Sequence, residues 1–188
     1  MEHFDPSKAT EKTVDFIKKY TEDAGFSRVV LGLSGGLDSA TCAYLAVRAL
    51  GRENVKLVNM PYKGSSPESQ ADAQLVADSL GIPMDIVEIT GPVDSLFDGR
   101  PAPDRLRLGN ACARMRMITI YDIASEWNGL VIATGNKSES YLGYTTLWGD
   151  MAGAFSPIGD LFKSDEKALA DKTCRKDPHR RSVGRSNR

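Results

Sequence analysis

Short apolar runs alternate with amphipathic stretches along most of this chain. From Ser7 to Ala24, Val14, Phe16, Ile17 and Tyr20 recur among charged residues, the spacing of an amphipathic helix that Gly25 would end. Residues 28–33, with Val29, Val30 and Leu31 in succession, read as a short buried strand, and residues 37–50 read as a helix. Asn54 to Met60 predicts a second strand, Pro61 to Pro67 a polar loop, and Glu68 to Leu80 a helix closed by Gly81, with Ser66 or Pro67 near its start. A third strand is expected from Met84 to Ile89. Gly91 to Asp104 carries glycine and proline and reads as an irregular linker. Arg105 to Trp127 predicts a long helix with Met115, Ile118, Ile120, Tyr121 and Ile123 as apolar positions, and Leu130 to Thr134 a fourth strand. Strands alternating with helices imply an α/β fold, a parallel sheet with helices on both faces. Ligands of such sheets sit beyond the carboxyl ends of the strands.

Composition narrows the class. The 188 residues, 41% hydrophobic and 26% charged, suit one sizeable core. No apolar run approaches the roughly 18 residues of a membrane span, and the polar N-terminus is unlike a signal peptide. Cys42, Cys112 and Cys174 are widely spaced and odd in number, which suggests reduced thiols in a cytoplasmic protein. The two histidines, His3 and His179, lie near the ends, so a metal would be a hard cation such as Mg2+ held by carboxylates and phosphates. Residues 171–188 hold seven Lys/Arg against two Asp, a balance of +5. Given the net charge of −1, the remainder carries −6. An acidic body argues against a nucleic-acid-binding face there.

The candidate chemistry begins at Gly32-Leu33-Ser34-Gly35-Gly36-Leu37-Asp38-Ser39, between the first strand and the helix after it. Glycines allow close backbone approach to a phosphate. The orphan N–H groups and dipole of a helix N-terminus favour the negative charge. Ser34 and Ser39 add hydroxyls, and Asp38 a carboxylate suited to a metal ion. The stretch is neither a lysine-bearing Walker loop nor a G-x-G-x-x-G fingerprint. It resembles the S-G-G-x-D-S loop of ATP pyrophosphatases, which split ATP between the α and β phosphates. Thr134 to Glu139 leaves the fourth strand at the same end of the sheet and is expected to face the loop.

Further motifs follow in order: Thr134-Gly-Asn-Lys-Ser-Glu139, Gly143-Tyr-Thr-Thr-Leu-Trp-Gly-Asp150 and Pro157-Ile-Gly-Asp-Leu-Phe-Lys163. With Met60-Pro-Tyr62, Ser65 to Ser69 and Gly109 to Met117, these make the chain similar to ammonia-dependent NAD synthetases from about residue 8 to about residue 170. The resemblance implies a Rossmann-like, PP-loop ATP pyrophosphatase fold (the adenine nucleotide alpha hydrolase type). It implies ATP-dependent amidation of deamido-NAD with ammonia through an adenylated intermediate, and a homodimer. It further implies that Gly32 to Ser39 cradle ATP with Thr134 and Lys163, and that Asp38 and Glu139 hold Mg2+. Arg114 would contact deamido-NAD, with Asp38 and Lys163 serving catalysis. Arg116, roughly 200° further round a helix, is expected to face elsewhere.

Plainer roles stand beside these. Glu139 can be a first-turn helix glutamate, Asp150 and Asp160 turn or capping residues, Cys112 a small buried residue, and Met115 and Met117 core. Two positions depart from the family: many relatives carry lysine at Leu147, and one branch carries aspartate at Ala154. Two other readings stay open, a different ATP pyrophosphatase adenylating another acceptor, and a noncatalytic nucleotide- or RNA-binding protein using the basic tail.

The resemblance stops after Ala170, which divides the chain into a domain of residues 1–170 and a basic tail of residues 171–188, expected to be disordered. Read one base later, the codons of Arg175 to Val183 permit Glu-Lys-Thr-Pro-Thr-Ala-Gly-Leu-Trp, a segment the family has there. A frameshift near residue 171 is the expectation, with weak ATP–Mg2+ binding and impaired NAD formation as its consequence.

Overall fold

The computed structural model describes residues 4–174. A four-stranded, wholly parallel sheet forms its centre, in the order β3-β2-β1-β4. The strands are β1 (Val29–Gly32), β2 (Val55–Asn59), β3 (Met84–Ile86) and β4 (Leu130–Val131). The helices are α1 (Pro6–Asp23), α2 (Leu37–Leu50), α3 (Pro67–Leu80), α4 (Thr90–Ser95), α5 (Arg105–Trp127), α6 (Lys137–Leu142) and α7 (Lys163–Cys174). Among the described residues no helix is long and apolar enough to cross a membrane.

Alternation along β1 builds two cores. Val29 and Leu31 point to one face and join Leu57, Ile17 of α1, Leu45 of α2, Ala73 of α3 and Leu169 of α7. Val30 points to the other and joins Val58, Val93 of α4, and Cys112, Ile120 and Ala124 of α5. Both sides of β1 are therefore dry, as its apolar run requires. The chain winds from β1 to β2 and β3 on one side, then returns through α4 and α5 to place β4 on the other. The order reverses between β1 and β4, and such a switch point opens a crevice at the strands' carboxyl ends.

The buried side of α1 differs from a plain apolar stripe. Thr10, Thr13, Ile17 and Thr21 are buried, and the Thr10 and Thr21 hydroxyls each donate to the carbonyl four residues back, at 2.7 Å. That bond satisfies a hydroxyl inside a core. Phe16 and Tyr20 remain partly exposed, the first meeting Phe155 edge-on and the second at a tilt.

Two expectations are corrected. The 91–104 linker is not wholly irregular, because its first residues belong to helix α4, Thr90–Ser95. Pro92 is admitted there because the first turn needs no N–H from it. Asp171 to Cys174 form the last turn of α7, so regular structure extends four residues beyond the expected boundary at Ala170. The rest of the basic tail, and the segment expected to be out of frame, lie outside the described residues.

Candidate active site

The N-terminus of α2 is built to leave donors open. Asp5, Ser66, Asp104 and Asn136 cap α1, α3, α5 and α6 with side-chain acceptors. At α2 the capping residue is Gly36, which offers no side-chain cap. The N–H groups of the first turn then have no partner within the helix. The loop ahead of them is braced from within. Gly36 N–H donates to Ser34 Oγ at 3.2 Å, Ser34 N–H to Ser39 Oγ at 3.2 Å, and Ser39 Oγ to the Gly36 carbonyl at 3.0 Å. Gly35 has φ +84°, and a Cβ there would collide with the Ser69 carbonyl of α3. Preset shape and open donors together make an anion cradle.

A cavity of about 600 Å³ opens beside the cradle. Its wall takes Gly32, Leu33, Ser34, Gly36, Asp38 and Ser39 from the loop, and Thr134 and Glu139 from the segment after β4. The two expected halves of the site therefore meet. Gly35 and Leu37 belong to the loop but do not line the cavity. Glu139 closes a capping box: its Oε2 accepts from Asn136 N–H at 3.1 Å, and its own N–H donates to Asn136 Oδ1 at 3.1 Å. Its plainer role and its place on the cavity wall coexist.

Lys163 stands at the start of α7 and reaches Asp38, but does not itself line the cavity. Its Nζ donates to Asp38 Oδ1, and Glu166 Oε2 lies 3.0 Å from the same ammonium. Burial works against the charge of Lys163, but the two carboxyls outweigh it and hold the ammonium above the ordinary lysine value. Glu166 is wholly buried. Burial pushes its carboxyl up to about 8, Asp38 adds to the rise, and Lys163 opposes it. Among the described residues neither Glu166 oxygen has a well-aligned hydrogen-bond donor. No group of three His, Cys, Asp or Glu among them forms a metal cluster. Asp38 and Glu139 remain two carboxylates on one cavity, a donor set that fits a hard cation completed by phosphate oxygens and water.

The two arginines of α5 are distributed differently from the expectation. Arg116 lines the cavity and donates from Nε to the Met60 carbonyl at 2.9 Å. Arg114 lies off the cavity, exposed, and donates from Nε to the Leu147 carbonyl at 3.1 Å. Their separation round the helix was legible, but which side met the cavity depended on how α5 packs. Sequence reasoning also missed Asn59, whose amide donates to the Leu33 carbonyl at 2.7 Å while Oδ1 has no partner among the described residues. Asp150 accepts from Thr146 N–H, and Cys112 is buried in the α5 core, as expected.

Sheet order, switch-point crevice and an uncapped glycine loop define a Rossmann-like α/β protein of the PP-loop class. The family model for NAD synthase matches residues 9–177, and the chain belongs to the NAD synthase family. It is 50% identical over 168 residues to the NH(3)-dependent NAD(+) synthetase of Chlorobaculum tepidum, covering 89% of this chain and 61% of that protein. With the enzyme of the same name from Fusobacterium nucleatum it shares 49% identity over 152 residues, 81% of this chain and 59% of the relative. The chain thus spans about three-fifths of the length of these curated relatives. Among solved structures, the NH3-dependent NAD synthetase of Campylobacter jejuni superposes with TM-score 0.85 at 43% identity, covering 89% of this chain and 73% of that one. The NMN synthetase of Francisella tularensis superposes with TM-score 0.86 at 29% identity, covering 94% and 73%.

Proposed function

We propose that this chain is an ammonia-dependent NAD synthetase of the cytoplasm, amidating deamido-NAD at the expense of ATP. The observation that carries the reading is the meeting of the uncapped Gly32–Ser39 cradle with Thr134 and Glu139 on one cavity. A carboxylate resists direct attack by an amine because its oxygen is a poor leaving group. In the proposed reaction a nicotinate carboxylate oxygen attacks the α-phosphorus of ATP, and pyrophosphate leaves. Ammonia then attacks the acyl carbon, and AMP leaves with the bonding pair. Protein groups serve this chemistry by placing two anions together and stabilising charge on the departing pyrophosphate.

The α2 N–H groups and the loop hydroxyls would hold the phosphates, with Thr134 on the same cavity. Lys163 would exchange its contact with Asp38 for a phosphate oxygen and act as a compact positive charge. Mg2+, where held by Asp38 and Glu139, would supply further neutralisation of the phosphates. Arg114, anchored at Leu147, is the proposed contact for deamido-NAD; the Arg116 guanidinium in the cavity wall is available to ATP. Buried, unpaired Cys42 and Cys112 accord with a reducing compartment. Exposed Leu147 and Trp148 beside a second groove accord with a homodimer.

Incubation with ATP, Mg2+, ammonium and deamido-NAD is expected to give NAD, AMP and pyrophosphate in equal amounts, at a rate lowered by the out-of-frame tail expected after Ala170. Omitting ammonium should abolish NAD. Release of ADP and phosphate, or amidation of nicotinate mononucleotide in preference to the dinucleotide, overturns the assignment.

A further inference from the structure

Glu166 is a costly side chain to bury. A carboxyl with no exposed surface and no well-aligned donor has lost its hydration without full compensation. Leu169 and Ala170, on the same helix, show that α7 has apolar residues at its buried positions, so an apolar residue at position 166 would serve packing better. Replacing a buried ionisable group by a well-packed apolar one is often stabilising. Glu166 Oε2 lies 3.0 Å from Nζ of Lys163, one helical turn earlier on α7, and its carboxyl also neighbours Asp38.

Lys163 needs such a contact. A lysine carries its charge on a flexible four-carbon stem, and holding it in one place costs side-chain entropy. In the structure its ammonium is gripped from two elements, by Asp38 on α2 and by Glu166 on its own helix. Under the reading above, Asp38 turns to a cation when nucleotide arrives, and only Glu166 then keeps the ammonium at the cradle. We propose that Glu166 is a positioning residue, a buried tether that preorganises Lys163 for the triphosphate at a cost to the stability of the fold. This rests on the assignment of the cradle to ATP.

The test compares wild type, Glu166→Leu and Glu166→Gln, each in the full chain. Leucine fills the space but offers Lys163 no oxygen; glutamine keeps an oxygen at the same reach. Thermal unfolding and calorimetric binding of a nonhydrolysable ATP analogue and of adenosine are measured. Loss of one immobilised side chain's preorganisation corresponds to about three- to tenfold in affinity. Glu166→Leu is expected to unfold at higher temperature, to bind the ATP analogue three- to tenfold more weakly, and to bind adenosine unchanged; Glu166→Gln is expected to restore the triphosphate affinity. Equal triphosphate affinity in wild type and Glu166→Leu overturns the proposal, and so does equal weakening of adenosine. A second readout is independent of nucleotide. In protein with 13C-methylated lysines, the Lys163 signal should move toward the free-lysine position in Glu166→Leu and not in Glu166→Gln. If the signal moves but wild type binds no ATP, the tether stands and the nucleotide assignment falls; if it does not move, the tether is wrong.

Discussion

At Gly35 the backbone runs at φ +84°, facing the Ser69 carbonyl across the loop. A left-handed conformation costs a residue with a Cβ about 1–2 kcal/mol, and here the obstacle is another backbone rather than a side chain that can move. Gly35→Ala is therefore expected to cost at least about 2 kcal/mol and to displace the cradle from α3. Denaturant unfolding checks the first part and titration with the ATP analogue the second. A variant of wild-type stability and affinity would mean that the loop can rearrange freely. Gly36 has ordinary extended φ, and its need for glycine is of another kind: a capping side chain would occupy the donors that an anion requires. Two adjacent glycines of one motif thus answer two separate physical demands.

At the scale of elements, local chemistry made some features legible in the sequence and tertiary packing hid others. The α2 loop could be read because glycine, hydroxyl and carboxylate positions follow a strand directly. Expected pairing from Met84 to Ile89 is also visible: Val87 and Ile89 N–H groups donate to Asn59 and Pro61 carbonyls beyond the regular part of β3. Helix α4 was hidden because six residues give no periodicity and Gly91-Pro92 resembles a linker. Glu166 was hidden because a charged residue reads as surface, and only the tertiary packing of α7, against α1 and α2, buries it. The cap of α1 was likewise unassigned, although Asp5-Pro6 carries its signature. Asp5 accepts from Lys8 and Ser7 N–H groups, and these bonds, Lys8 first, hold its carboxyl below the ordinary 3.8. A depressed folded-state pKa means stabilisation that is present above 3.8 and lost as pH falls through the folded value. Asp5→Asn keeps a capping oxygen without the charge. Its unfolding temperature should trail wild type at pH 7, and the gap should close toward pH 3. A gap that persists unchanged at pH 3 would assign the difference to something other than the Asp5 charge.

At the scale of the whole molecule, the exposed apolar surface is unevenly placed. Tyr121 of α5 and Leu147, Trp148 and Met151 of the loop after α6 ring a second groove, beside the wall that Met117 shares with the main cavity. Trp148 is 70% exposed and sits at φ +60°, which is strained for a bulky residue. A monomer gains nothing from holding a large ring outward in a strained backbone, whereas a dimer would gain a buried aromatic anchor at its interface. Trp148→Asn separates these effects, because asparagine tolerates the backbone conformation and removes the ring. The expected result is an unfolding temperature, taken in dilute protein, at or above wild type. Self-association measured by sedimentation equilibrium should weaken by about thirtyfold, the equivalent of a 2 kcal/mol hot spot. A wild-type chain that sediments as a monomer at tens of micromolar would remove the homodimer. A variant that associates as tightly as wild type would place the interface on another face, away from the groove that Leu147 and Trp148 line.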